Sequence, residues 1–199
     1  HQLSTISFPK DFDTSHVTDM SEMFSWTGNL TRITGLANWN TSNVTTMESM
    51  FNRSENLTEI DSVANWDTSN VTNMKGLFNR CHKLQSVDVS NWNTSRVTNM
   101  QQVFNRCLSL EKIDVSKWDT SNVTDMQMMF KSCTKLKALD LSNWDTSKVT
   151  TMVQMFYMEH GSNLEEIKGL EDFDLSSVKN ATGMFMNCSE LAVLALDTS

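Results

Sequence analysis

Hydrophobic and hydroxyl-bearing positions recur along the chain with a period of 26 to 29 residues. The clearest copy is residues 92–104, WNTSRVTNMQQVF. The same arrangement recurs in residues 39–51, 66–78, 118–130 and 144–156, and degenerate copies that begin with Phe lie at 12–24 and 173–185. A fixed period of this length is the signature of a chain that repeats one structural unit about seven times.

A second pattern, L-x-x-[IVL]-x-[VL], lies between the copies. Its last three positions alternate apolar, polar, apolar, as a half-buried strand requires. The pattern is filled by Leu3, Ile6 and Phe8; Leu84, Val87 and Val89; Leu110, Ile113 and Val115; Leu136, Leu139 and Leu141; and Leu191, Leu194 and Leu196. Equivalent segments with an extra residue are ITGL (33–36), IDSV (60–63) and IKGL (167–170), which gives eight predicted strand segments.

The Val-Thr-x-Met part of each copy has a helical period instead. Val97, Met100, Val103 and Phe104 are spaced as one face of a helix, and the preceding Thr-Ser offers hydroxyls for the free N–H groups at a helix start. We therefore expect an α/β solenoid over residues 1–199, a single repeat domain. Parallel strands about 4.8 Å apart form one face, and short helices form the other.

Composition and charge disfavour several classes of function for this chain. The net charge of −8 argues against nucleic-acid binding, and no apolar run approaches the roughly 18 residues of a membrane helix. The four histidines (His1, His16, His82, His160) occupy unrelated positions in the repeat, and no nucleotide-binding or nucleophile motif occurs. We expect neither enzyme activity nor a cofactor.

Several residue types form columns, one member per repeat. The Trp column is expected in the core rather than as a stacking platform, and the Met column as core filler rather than a metal site. The cysteines fall at one repeat position and are expected to be free buried thiols, in preference to disulfides or a zinc site. These columns are Trp39, Trp66, Trp92, Trp118 and Trp144; Met20, Met47, Met74, Met100, Met126 and Met152; and Cys81, Cys107, Cys133 and Cys188.

Outward positions of the strands are the expected contact surface. Within them, Asp88, Asp114 and Asp140, with Asp61 in a shifted register, either form a cation-attracting stripe or bond local backbone in turns, and we favour turns. The predicted contact face comprises Glu59, Asp61, Gln85, Asp88, Glu111, Asp114, Lys137, Asp140, Glu165 and Lys168. It is polar and mostly acidic, which suits weak multivalent contacts.

The pattern C-x-x-L-x-x-[IVL]-x-[VL]-S-x-W-[DN]-T-S-x-V-T-x-M-x-x-[MV]-F-x-x-C spans residues 81–107 and again 107–133. It resembles the BspA-like leucine-rich-repeat surface proteins, in the W-D-T-S-x-V-T-x-M variant of Gram-positive bacteria and mollicutes. The resemblance covers essentially the whole chain and implies a right-handed leucine-rich-repeat stack without catalytic residues. Phe12, Phe173 and Ala181 depart from the pattern, as suits units near the ends of a stack.

The resemblance implies an adhesin-type module on the bacterial cell surface that recognises an extracellular protein or glycan. We expect a monomeric fragment of a longer surface protein, anchored through other parts. One alternative is a structural stalk that displays another domain. A weaker alternative is ice or crystal-surface binding by the Thr columns, whose other interpretation is helix capping. These columns are Thr41, Thr68, Thr94, Thr120 and Thr146, and Thr45, Thr72, Thr98, Thr124 and Thr150.

Overall fold

A computed structural model describes residues 3–192, and it is mostly non-helical with small parallel sheets. One sheet contains three strands in the order β1-β2-β3, and the other pairs β4 with β5. Ile6, Ile33 and Ile60 are aligned in the first sheet, and Leu139 is aligned with Ile167 in the second. The strands are β1 (Thr5–Ser7), β2 (Arg32–Thr34), β3 (Glu59–Ile60), β4 (Ala138–Asp140) and β5 (Glu166–Lys168).

These strands confirm five of the predicted segments. Each has its apolar residue facing inward and polar neighbours facing outward, and Ile33 and Leu139 are buried. The other predicted segments, residues 84–89 and 110–115, contain no strand, and Val87 and Ile113 stay half-exposed. In the last predicted strand, Leu194 and Leu196 lie outside the described residues.

The predicted short helices are wrong. Within residues 3–192 the helices are two 3₁₀ turns, Leu36–Asn38 and Leu170–Asp172. In the repeat at residues 100–106, Gln102 and Arg106 have φ of 59°, a left-handed conformation that an α-helix excludes. A series of tight turns buries Met100, Val103 and Phe104 just as a helix would, which is why the spacing was ambiguous.

We call these segments the turn face: residues 20–26, 47–53, 74–80, 100–106, 126–132 and 152–158. Their backbone N–H groups donate to the following repeat. Gln102 donates to the carbonyl of Gln127 at 2.9 Å, and Arg106 donates to the carbonyl of Lys131 at 2.7 Å. Every second residue of each segment does the same, so the backbone of this face is paired without α-helix or regular strand.

Aromatic columns fill the interior. The Trp39 and Trp66 rings lie 6.0 Å apart with an interplanar angle of 2°, and Phe78 and Phe104 lie 5.7 Å apart. The five repeat tryptophans and the predicted Met column are buried, which confirms their assignment to the core. Trp92 Nε1 also donates to the carbonyl of Val63 at 2.9 Å, so the polar atom of the indole is satisfied.

The cysteine column also joins repeats. All four cysteines are free thiols, and three of them are fully buried. Cys107 Sγ donates to the carbonyl of Phe78 at 3.2 Å, and Ser54 Oγ donates in the equivalent way to Phe24 at 2.8 Å. Burial raises the pKa of the Cys133 thiol to about 12, so the thiols stay protonated donors at neutral pH. The column is therefore structural.

Two glycines accommodate the extra residues of the longer repeats. Gly35 and Gly169 have φ of 89° and 83°, and each precedes a 3₁₀ turn. A Cβ atom on Gly35 would overlap the carbonyl oxygen of Phe8, and one on Gly169 would overlap the backbone of Ser142. At both positions the backbones of neighbouring repeats approach too closely for any side chain.

Candidate binding surface

We call the side of the molecule formed by β1 to β5 and residues 84–89 and 110–115 the strand face. Nine of the ten predicted contact residues are exposed there, and Asp61 is half-buried. Asp61 accepts hydrogen bonds from the backbone N–H of Gly35 at 2.9 Å and of Ser62 at 2.8 Å. Its carboxylate therefore holds the chain at the 3₁₀ turn and is not free for a ligand.

The other three residues of the Asp column accept hydrogen bonds within local turns. Asp88 Oδ1 accepts from the Ser90 N–H at 3.1 Å and from the Ser90 hydroxyl at 2.7 Å, and these bonds lower the pKa of Asp88. Asp114 and Asp140 bond Ser116 and Ser142 in the same way. Among residues 3–192, no group of three His, Cys, Asp or Glu residues is arranged to hold a metal ion. The geometry favours turn chemistry over a cation stripe.

A second outward column was missed by the sequence interpretation apart from Glu59. Strand alignment places Arg32 beside Glu59, and Ala138 beside Glu166. Arg32 and Glu59 form an ion pair at 3.1 Å across the two repeats. The column occupies the position just before the inward residue of each strand. Because side chains alternate along a strand, both neighbours of an inward residue face outward, and this rule identifies the column in the sequence.

The most distinctive feature of the strand face is a cleft of about 460 Å³ between residues 86–90 and 112–114. Its lining includes the half-buried apolar side chains of Val87 and Ile113. Asp88, Asp114 and Lys112 contribute polar groups around them. The first sheet ends at β3 and the second begins at β4, so the cleft lies where the parallel strands are interrupted.

Two further clefts lie on the same face. One, of about 440 Å³, is lined by Glu111, Lys112, Lys135, Lys137 and Asn163. The other, of about 510 Å³, includes Glu165, Lys168 and Glu171. Six of the ten predicted contact residues line one of the three clefts: Asp88, Glu111, Asp114, Lys137, Glu165 and Lys168.

Comparison with known proteins supports the repeat assignment. The family described as "Mycoplasma protein of unknown function, DUF285" matches residues 3–87, 53–161 and 77–195. The chain belongs to the DUF285 family. No curated protein and no solved structure matches it.

In this DUF285 chain the Thr columns link repeats and do not cap helices. Thr94 Oγ1 is buried and donates to the carbonyl of Asp119 at 2.9 Å, and the exposed Thr98 donates to the carbonyl of Thr72 at 3.3 Å. The capping interpretation was wrong because no helix follows. Since these hydroxyl hydrogens bond the protein's own carbonyls, nothing in their geometry favours the ice-binding alternative.

Spanning a bilayer places requirements on the helices of the DUF285 chain. Within residues 3–192, no helix has the length and apolar character needed to cross a bilayer.

Proposed function

We propose that this chain is a binding module of a bacterial surface protein, and that its strand face recognises an extracellular protein or glycan. In this proposal the repeats form a right-handed solenoid of the BspA-like leucine-rich-repeat kind. The DUF285 match is consistent with a mollicute-type repeat protein, and ring contacts at fixed register between successive repeats support a solenoid.

The observation that supports the proposal most is the cleft between residues 86–90 and 112–114. It combines half-exposed apolar side chains, Val87 and Ile113, with carboxylates and an ammonium group. Binding sites commonly join an apolar floor to a few polar groups that orient the ligand. Here Val87 and Ile113 provide a partly exposed apolar floor on the strand face.

Binding is tested by biolayer interferometry of residues 1–199 against immobilised fibronectin, laminin, collagen and a glycan array. The variant Glu111→Ala/Lys112→Ala/Lys137→Ala removes exposed side chains beside two clefts without breaking an ion pair found among the described residues. Lys117→Ala, exposed but outside all three clefts, is the matched control.

Saturable binding that the triple variant loses and the control keeps is the expected result. Equal binding by both variants would show that another face is responsible. No binding to any probe would favour the second candidate, a stalk that holds another domain away from the surface. The specific observation for a stalk is the continuous ring column Trp39–Trp66–Trp92–Trp118, with neighbouring centroids 6.0 to 6.3 Å apart, which stiffens the chain along its length.

A further inference from the structure

Three arginines occupy the same position of successive repeats on the turn face. Arg53, Arg80 and Arg106 all have left-handed backbone conformations, with φ of 59°, 61° and 59°. Arg53 donates its N–H to the carbonyl of Asn79, and Arg80 donates to that of Asn105, so their backbones belong to adjacent hydrogen-bonded repeats. Adjacent members are therefore about 5 Å apart. We call this set the arginine column.

The positive charge of the arginine column is only partly compensated. At one end, Arg106 and Lys131 both pair with the carboxylate of Glu159. Within residues 3–192, neither Arg53 nor Arg80 forms an ion pair or donates a side-chain hydrogen bond. The like charges of Arg53 and Arg106 repel that of the half-buried Arg80, so the central arginine is held at an energetic cost in the free protein.

The electrostatics of Arg80 agree with this geometry. The pKa of the Arg80 guanidinium is lowered mainly by burial, and further by the charges of Arg53 and Arg106. Glu55 and Glu159 act in the opposite direction without reversing the shift. An anion placed over the column would relieve the repulsion among the three guanidinium groups.

The other end of the column carries an aromatic platform. Trp26 occupies the same repeat position as the arginines, has φ of 60°, and is 68% exposed. The guanidinium carbon of Arg53 lies 4.1 Å from the centroid of the Trp26 ring and covers one of its faces. The Trp26 ring and three guanidinium groups therefore follow one line along the repeats.

We propose that the arginine column, together with Trp26, binds a linear sulfated polysaccharide. A single small anion cannot bridge three arginines whose backbone positions span about 10 Å, whereas a chain with an oxyanion on successive sugar rings can. Planar guanidinium groups bind such oxyanions with two parallel hydrogen bonds. Trp26 adds an apolar surface on which a sugar ring can pack. This site lies on the turn face and does not depend on the strand-face function proposed above.

The test is isothermal titration of residues 1–199 with a heparin oligosaccharide at low and at moderate salt. Arg80→Asn removes the central charge, and Asn is suited to this backbone because Asn187 has φ of 64° at the same repeat position. Arg53→Asn is a second variant in case the first lowers stability. Lys117→Asn removes the same charge at an exposed position outside the three strand-face clefts and serves as the control.

We expect saturable heparin binding, weakened about fivefold or more by either arginine variant and unchanged by Lys117→Asn. Each lost contact should reduce the slope of log K against log salt by about one. Arg80→Lys should recover part of the affinity, because it restores the charge without the planar fork. Trp26→Ala should weaken binding without altering the salt slope.

Three results would overturn the proposal. The first is absence of heparin binding at low salt, and the second is equal loss in Arg80→Asn and Lys117→Asn. The third is equally tight binding of poly-glutamate or single-stranded oligo-dT, which would show recognition of charge alone. None of these results bears on the strand face, whose variants are separate.

Discussion

The indole Nε1 of Trp92 donates a hydrogen bond to the carbonyl oxygen of Val63, 2.9 Å away in the preceding repeat. We expect Trp92→Phe to lower the free energy of unfolding by about 0.5–1.5 kcal/mol. The carbonyl of Val63 loses one of its two donors and keeps the Trp66 N–H at 3.1 Å, while most ring packing remains. Trp92→Ala should cost about 3–5 kcal/mol, since it also leaves a cavity. Urea unfolding followed by far-UV circular dichroism measures both.

Trp39 provides the matched control for that prediction. It is buried like Trp92, but its Nε1 finds no acceptor among residues 3–192. Trp39→Phe removes an unsatisfied polar atom, so its cost should be clearly smaller than that of Trp92→Phe. Equal losses in the two variants would mean that packing alone, and not the hydrogen bond, makes the indole important.

Two glycines with positive φ should differ in their tolerance of alanine. At Gly76 the new Cβ would lie 3.1 Å from the mobile Ser49 hydroxyl, whereas at Gly35 it would overlap the Phe8 backbone. We expect Gly76→Ala to cost about 1–2 kcal/mol, the cost of the left-handed conformation itself. Gly35→Ala should cost more, and thermal unfolding should rank the two in that order. The reverse order would contradict the close approach at Gly35.

The same conformational cost predicts a stabilising change. Gln102 occupies the repeat position of Gly76 and has φ of 59°. Gln102→Gly relieves about 1–2 kcal/mol of backbone strain, partly offset by the greater freedom of glycine in the unfolded chain. A small rise in melting temperature is expected, whereas Gln102→Val should lower it, because a β-branched residue fits this region poorly.

The buried thiols predict a loss of stability at high pH. Burial raises the pKa of Cys133 from 9.0 to about 12, so the folded chain keeps a proton that the unfolded chain loses earlier. This contribution is complete below pH 9.0 and disappears as the pH rises toward 12. Urea unfolding at increasing pH should show the decline.

Cys133→Ser is the variant that isolates this effect. Serine fits the column, because Ser54 makes the equivalent hydrogen bond to Phe24 at 2.8 Å. Removing this thiol should reduce the decline between pH 9.0 and about 12, while Cys81, Cys107 and Cys188, whose pKa values are also raised by burial, keep their share. An unchanged pH dependence in Cys133→Ser would assign the decline to other groups.

Calcium should leave the melting temperature unchanged. The Asp88 and Asp140 carboxylates already accept bonds from Ser90 and Ser142, and Ca²⁺ needs six to eight oxygen ligands. Differential scanning calorimetry with CaCl₂, against NaCl at equal ionic strength, measures the effect. A calcium-specific increase would restore the cation-stripe interpretation of the Asp column.

The sequence predicted correctly which side chains face inward, but not the backbone conformation that places them there. Met100, Val103 and Phe104 are buried as expected, yet helical spacing cannot distinguish a helix from consecutive tight turns that share its inward face. The decisive fact is that Gln102 and Arg106 adopt left-handed conformations. Gln and Arg do not favour the left-handed region, so local propensity does not predict these turns. The left-handed conformation is determined by hydrogen bonding to the next repeat.

On the strand face, the sequence predicted exposure but not the break in the sheet. Val87 and Ile113 have the same alternation as Leu139, which does form a strand. Pairing depends on how neighbouring repeats are aligned, which the pattern within one repeat does not specify. The arginine column was not predicted either, because three arginines at one repeat position do not reveal that paired left-handed turns of adjacent repeats align them.

The backbone hydrogen bonds that join repeats on the turn face all run in one sense, from the N–H groups of each repeat to the carbonyls of the next, as with Gln102 and Gln127. The peptide dipoles of this face therefore add instead of cancelling, and its two edges differ: one is rich in acceptors and the other in donors. Two such molecules brought edge to edge with twofold symmetry would place like groups together. Any end-to-end contact through this face must be head-to-tail, so the repeat has an intrinsic polarity like that of a filament subunit.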